Sequence, residues 1–367
     1  MLPSVILPNG EPRVKRINYL AEVRNKLLRP LEHPDSRKFG ESLVTTSTRY
    51  DKILFLNDIY FDPLEALQLL FSTNYNPQTQ RAEYGAACAV HFTRKAMIYD
   101  SFVVRDLEGY ELGLMYYPWF TSKGRGESRR DVLAGKDAVR VRSCWGGMAA
   151  YDATPFLRNE IAASTDTSAG AAPVAEPKDN TTTTTTTRTV AETRALLPPL
   201  RFRHSPELFW ESSECCLLNA DLAVRPDVTN TNIYLNPYVR VTSDEETWLW
   251  LPFFRRYERG FRWIQYLASI LAYPEYNPRR TEEVREQEQQ WSVQPRWVFK
   301  EEVLNGERVR AKDLVLPEDR SGRWEMTKEV VKPGGFCGQR RLFVMKQELE
   351  RSNRDRSASN WETIPLP

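Results

Sequence analysis

Asn57 and Asp58 close the apolar run Ile53-Leu54-Phe55-Leu56, which has the length of a buried strand delivering an amide and a carboxylate at its end. Open α/β sheets bind ligands just beyond the carboxyl ends of their strands, so the pair is placed to hold a divalent cation against a phosphate-bearing ligand. Both are hard oxygen donors suited to Mg2+ or Mn2+. An Asp closing a strand also serves as the N-cap of the next turn, and the spacing leaves both readings open.

Four further groups could carry chemistry. Glu211 and Glu214 bracket Ser212-Ser213 ahead of a helical pattern over 214–223; a carboxylate there complements the helix dipole or reaches a reacting centre. Trp145-Gly146-Gly147 can form a tight turn whose missing Cβ atoms admit a sugar or phosphate beside an indole platform, or an ordinary glycine turn with a core Trp. Asp100, Arg105 and Asp106 flank one short element and either contact a ligand or pair locally. Arg24 shares a helix face with Leu20 and Leu28, as a flat-packed stem or as an anion clamp, and Asn25 follows it. His91 lies between Val90 and Phe92 and reads as a core or strand-edge residue. There is no P-loop, no G-x-G-x-x-G and no convincing Ser-His-Asp set.

The elements that must position these residues follow from periodicity. Ile17 to Leu28 predicts an amphipathic helix closed by Pro30, and Pro63 to Phe71 a short helix with Leu64, Leu67, Leu70 and Phe71 as its apolar positions. Tyr84 to Phe92 reads as an Ala-rich strand, and Tyr99 to Arg105 as a second short strand-like element entering an acidic turn. Over Ala138 to Cys144, Val139 and Val141 alternate with Arg140 and Arg142. Ile233 to Val241 predicts a strand and Trp248 to Tyr273 aromatic-rich helices. The expected class is α/β.

At 367 residues, with 51 Lys plus Arg against 49 Asp plus Glu, the chain can bury a large core and has no charge excess that would point to nucleic acid. Ten Trp, 16 Tyr and 16 Phe permit sugar-stacking surfaces without requiring them. Five Cys without a C-x-x-C spacing give neither a disulfide scaffold nor a zinc site, and leave the redox compartment open. No stretch approaches the ~20 apolar residues of a membrane span, and no signal peptide opens the chain. Residues 159–197, with an uninterrupted Thr181 to Thr187, read as a disordered insertion. It divides a catalytic domain into 1–158 and 198–348, and 349–367 reads as a flexible tail.

The order of these blocks resembles the fungal capsule-associated α-1,3-mannosyltransferases, glycosyltransferase family 69. The resemblance is carried by Tyr19-Leu20-Ala21-Glu22-Val23-Arg24-Asn25, Phe55-Leu56-Asn57-Asp58, Tyr99 to Asp106, Ser143 to Met148 and Phe209 to Cys216. Gly334-Gly335-Phe336-Cys337-Gly338 fits it too. It implies a GT-A-like fold, a Rossmann-like mixed sheet flanked by helices, and transfer of mannose from GDP-mannose to an α-mannoside or glycan acceptor with retention, aided by Mn2+ or Mg2+. It also implies Asp58 as the metal ligand, Arg24, Asn25, Asn57, Asp100, Arg105 and Asp106 at the donor, Trp145, Gly146 and Gly147 at the acceptor, and Glu211 and Glu214 as catalytic carboxylates.

Two departures bear on activity. The usual D-x-D is replaced by Asn57-Asp58, and the family's first strand with its nucleotide-contacting loop, expected ahead of Tyr19, is not supplied by Met1 to Pro12. A catalytically inactive lectin-like or scaffolding relative is therefore the alternative reading. The family works in the Golgi or another secretory lumen, whereas a complete chain without signal or span would be cytoplasmic.

Overall fold

A computed structural model describes residues 5–32, 50–157, 197–271, 291–299, 303–304, 307–308, 322–330, 332–346 and 359–367. Residues 159–196, which hold almost all of the expected insertion, lie outside the described residues.

A mixed seven-stranded sheet organises the molecule. Its strands are β1 (Lys52–Leu56), β2 (Ala86–Thr93), β3 (Met97–Ile98), β4 (Arg105–Asp106), β5 (Val139–Ser143), β6 (Met148–Asp152) and β7 (Ile233–Thr242). They lie in the order β1-β6-β2-β7-β5-β4, and β3 pairs with the carboxyl end of β2. Only β2 and β7 pair in parallel. Because β1 and β2 both run antiparallel to β6, the strands β1, β2 and β7 share one direction and end at one edge. β7 enters between β2 and β5, so sequence from both sides of 158–196 builds the same sheet.

The period of two in β2 assigns the two faces of the sheet. Ala86, Cys88 and Val90 join the core beneath helices α1 (Arg16–Leu27) and α4 (Glu214–Ala223), while Ala87 and Ala89 join the core beneath α2 (Pro63–Phe71). Every residue of β2 except Thr93 is buried, as expected of a strand covered on both faces. The Val/Arg alternation of β5 is realised, with valines inside and arginines half-exposed, and helix α3 (Glu127–Leu133) lies against this strand. Helix α2 starts where its residues direct: Asp62 caps the Leu64 N–H and Pro63 opens the helix. Its buried face is Ala66 and Leu69, however, whereas Leu64, Leu67 and Phe71 are exposed. Small Ala66 allows close approach to the alanine-lined face of the sheet, and that contact sets the rotation of the helix.

Two other expectations change. Tyr99 to Val104 is a turn rather than a strand-like element, with the N–H groups of Val103 and Val104 donating to the Asp100 carbonyl. The end of the expected tail is also ordered against the body. Trp361–Thr363 pairs with Phe343–Met345, Glu362 meets Arg13, and the Trp361 and Phe343 rings are 5.1 Å apart. Trp361 gains from docking through both its strand pairing and its ring contact.

Two disulfides brace the fold. Cys88–Cys144 ties the central strand to the segment after β5, and Cys216–Cys337 ties α4 to the glycine-rich loop, leaving Cys215 free and buried. Bonds closing such long loops typically contribute about 2–5 kcal/mol by restricting the unfolded chain. Among the described residues no helix is long and apolar enough to cross a membrane.

Candidate functional site

The shared carboxyl edge of β1, β2 and β7 gathers most of the residues singled out in the sequence. After β1, the chain crosses this edge through Asn57, Asp58 and Ile59, and is held at both ends. The Asn57 N–H donates to the Gly147 carbonyl at 2.9 Å, and Tyr60 exchanges backbone hydrogen bonds with Thr242 at the end of β7. Asn57 and Asp58 are exposed.

Behind this crossing lies the Trp145-Gly146-Gly147 turn. Both glycines have positive φ, 62° and 68°. A Cβ on Gly146 would stand 1.9 Å from the Ala89 carbonyl oxygen, so only glycine lets the turn lie against β2. The Gly146 N–H donates to Asp100 Oδ2 at 2.8 Å. Burial pushes the Asp100 carboxyl up, while that bond and the charges of Arg24 and Arg105 pull it down.

Arg24 reaches the same place from α1. Its guanidinium lies 4.6 Å from the centroid of the Trp145 ring, pairs with Glu214, and donates to Cys215 Sγ at 3.0 Å. Glu214 is the first residue of α4 and is almost fully buried, so its charge is neutralised by Arg24 while it also faces the positive end of the helix. Burial pushes the Cys215 thiol up to about 11, which keeps it protonated and unreactive. The Trp145 indole is not the open platform expected of it. It is buried against Phe55, Tyr151 and Phe202, and offers Arg24 a flat surface on which to lie.

His91 was not legible as a site residue, because its apolar neighbours in sequence give no sign of the groups it meets. It sits near the end of β2 beneath the crossing. The Ser243 N–H donates to its Nε2 at 3.2 Å, its ring is 4.8 Å from that of exposed Tyr99, and Nδ1 faces Gly147. Burial lowers its pKa to about 4 despite the nearby Asp58 charge. The ring is therefore neutral at physiological pH, and with Nε2 accepting, Nδ1 carries the proton.

Four other candidates do not enter this cluster as free groups. The Asn25 side chain exchanges two hydrogen bonds with the backbone of Phe202, both 2.9 Å, and so fastens α1 to the segment ahead of α4. Arg105 is buried and donates to the carbonyls of Ser101, Val104 and Phe336 and to Glu111. Asp106 accepts the N–H groups of Glu108 and Tyr110 in a local turn, and burial raises its pKa to about 6. Glu211 is fully buried with Lys15 at 3.4 Å and accepts from the Phe343 N–H, while its other oxygen, Oε2, has no partner. All four groups serve the fold.

Glu211 nevertheless makes a measurable prediction. Burial raises its pKa from 4.5 to about 7, more than Lys15 and the Phe343 N–H lower it. Between those values the folded chain holds a proton on Glu211 that the unfolded chain has released, so this group's contribution to stability is fully present below pH 4.5 and is lost as pH rises to 7. The loss is about 3 kcal/mol at most. Urea unfolding across that range is expected to show the decline in wild type and a flatter profile in Glu211→Gln; the same decline in both would assign it to other groups.

Residues 2–221 match the sequence profile of the family described as cryptococcal mannosyltransferase 1. The chain belongs to that family. The matched region contains all the groups gathered at the sheet edge except β7 and Ser243, and membership implies a mannosyltransferase. No curated protein and no solved structure matches the chain.

Proposed function

We propose that this mannosyltransferase moves mannose from GDP-mannose to an α-mannoside, forming an α-1,3 linkage with retention, in the synthesis of fungal surface or capsule glycan. The observation that carries the reading is the convergence of Asp58, His91, the Asp100–Gly146 contact and the Arg24–Glu214 pair at one sheet edge, the place where α/β sheets bind nucleotide ligands. The sheet is read as GT-A-like on the same ground. The Cys88–Cys144 and Cys216–Cys337 bonds favour an oxidising secretory lumen such as the Golgi.

In this reading Arg24 faces the diphosphate, neutral His91 supports the crossing from beneath, and Asp100 holds the Gly146 turn in place beside it. Glu214 fixes Arg24 by charge and stands closest of the two candidate carboxylates to the transferred sugar. Among the described residues no three His, Cys, Asp or Glu side chains gather as a metal site. Asp58 and the Asn57 carbonyl fit a Mn2+ or Mg2+ ion only in the mode where donor phosphates complete the ligand set. Such an ion would neutralise leaving-group charge.

Calorimetric titration tests this reading. Wild type is expected to bind GDP-mannose about tenfold more tightly with Mn2+ than without it, a difference of about 1.4 kcal/mol, and Asp58→Asn to lose that gain. Equal affinity in all four titrations removes Asp58 from metal binding. A wild type that binds no GDP-mannose under either condition overturns the donor reading and leaves the lectin-like or scaffolding alternative.

A further inference from the structure

The diphosphate of a sugar nucleotide asks for charged donors that are not already spent on the fold. Most cations near the sheet edge are committed. Arg24 is paired with Glu214, Arg105 donates to the Ser101, Val104 and Phe336 carbonyls and to Glu111, and Lys15 donates to the Ser205, Glu207 and Trp210 carbonyls beside Glu211. Arg16, the first residue of α1, differs from all three. Among the described residues its fork of N–H donors makes no hydrogen bond and no ion pair; what holds the guanidinium is the Trp361 ring, whose centroid lies 5.1 Å from Cζ.

Arg16 stands about two helical turns ahead of Arg24, and the consecutive residues Tyr99 and Asp100 link the two. Burial lowers the pKa of Arg16, and the charges that reach it come from Tyr99, Arg24 and Glu211, while Asp100 feels Arg24 and accepts from the Gly146 N–H. Tyr99 is exposed, with its ring on that of His91. Glu211 is committed to Lys15 and the Phe343 N–H, so it does not serve Arg16. A guanidinium keeps its proton at any physiological pH. Half-buried, charged and without an acceptor, Arg16 is a group that a bound anion would stabilise.

We propose that Arg16 binds the diphosphate of the nucleotide donor together with Arg24, with Trp361 as its positioning residue. The proposal rests on the reading of this edge as the donor site. It gives the strand Trp361–Thr363, which lies outside the matched residues 2–221, a part in that site. Each arginine lies on an indole, Arg24 on Trp145 and Arg16 on Trp361, an arrangement that leaves the N–H fork for phosphate oxygens. Pairing with Phe343–Met345 and the Glu362–Arg13 contact hold Trp361 in place.

Calorimetric titration without Mn2+, using GDP, GDP-mannose and inorganic pyrophosphate, tests it. Arg16→Gln is expected to weaken all three about tenfold or more while melting like wild type, because no hydrogen bond of the fold is lost. Trp361→Leu should weaken them about threefold and add nothing in the Arg16→Gln background, since it acts only through Arg16. Wild-type affinities in Arg16→Gln overturn the proposal, and the donor reading survives if GDP-mannose still binds. A wild type that binds pyrophosphate through Arg16 but not GDP-mannose supports the diphosphate site and overturns GDP-mannose as donor. Additive losses in the double variant overturn the role of Trp361, and a wild type that binds none of the three overturns the whole proposal.

Discussion

Gly146→Ala is expected to abolish cooperative folding at ordinary temperature. The added methyl would stand 1.9 Å from the Ala89 carbonyl oxygen and 2.7 Å from its carbon, and both are backbone atoms of the fully buried central strand. That strand is paired on both sides and cross-linked through Cys88, so it cannot withdraw. The turn would have to move instead, with loss of the Gly146 N–H bond to Asp100 and of the neighbouring Asn57–Gly147 bond. The positive φ adds about 1–2 kcal/mol for any residue with a Cβ, and the whole change exceeds about 4 kcal/mol, the range that marks a severe core defect. Gly147→Ala serves as the internal comparison. There the methyl meets the Ile59 side chain at 2.9 Å and His91 Nδ1 at 3.3 Å, atoms that can shift. It is expected to fold with a lowered melting temperature and to bind GDP-mannose more weakly, because it displaces the crossing that carries Asp58. Circular dichroism melts of both variants decide the matter; near-wild-type melting of Gly146→Ala would show that the turn does not lie against β2 as described.

What could be read from the sequence was local. Pro63 marks the start of a helix by its own chemistry, and the alternation over Ala138 to Cys144 marks a strand because its two faces differ in burial. The rotation of α2 was not legible, since Leu64 and Ala66 are equally permissible inward residues until the alanine-lined sheet is known. Partnerships set by topology were hidden for the same reason. Glu211 looked like a free carboxylate because Lys15 and Phe343 come from opposite ends of the chain, and Trp145 looked like a platform because Phe55, Tyr151 and Phe202 enclose it only after the sheet forms. Asn57-Asp58, by contrast, is a property of a single strand end, and its exposed position was accessible from the apolar run before it. His91 shows the limit from the other side: β2 looks like plain core in sequence, but its register brings one polar ring beneath the crossing.

The Arg24–Glu214 pair is expected to behave as a single functional unit. Arg24→Met should lower kcat/KM for mannose transfer by about 10²–10³, the usual cost of losing one preorganised charged contact to a developing charge. Glu214→Gln should cost nearly as much, because the neutral amide no longer fixes the guanidinium on the Trp145 ring beside Asp100. The double variant should be little worse than either single one, since each change already dismantles the same arrangement. Donor affinity measured in parallel gives the cycle a second readout. If Glu214 acts through Arg24, both single variants weaken GDP-mannose binding together. If Glu214 instead contacts the reacting sugar on its own account, Glu214→Gln keeps wild-type donor affinity while losing turnover, and its effect persists undiminished in the Arg24→Met background. Additive losses of kcat/KM would therefore overturn the coupled role and return Glu214 to the reacting centre, whereas near-wild-type transfer in both single variants would reduce the pair to a buried contact between α1 and α4.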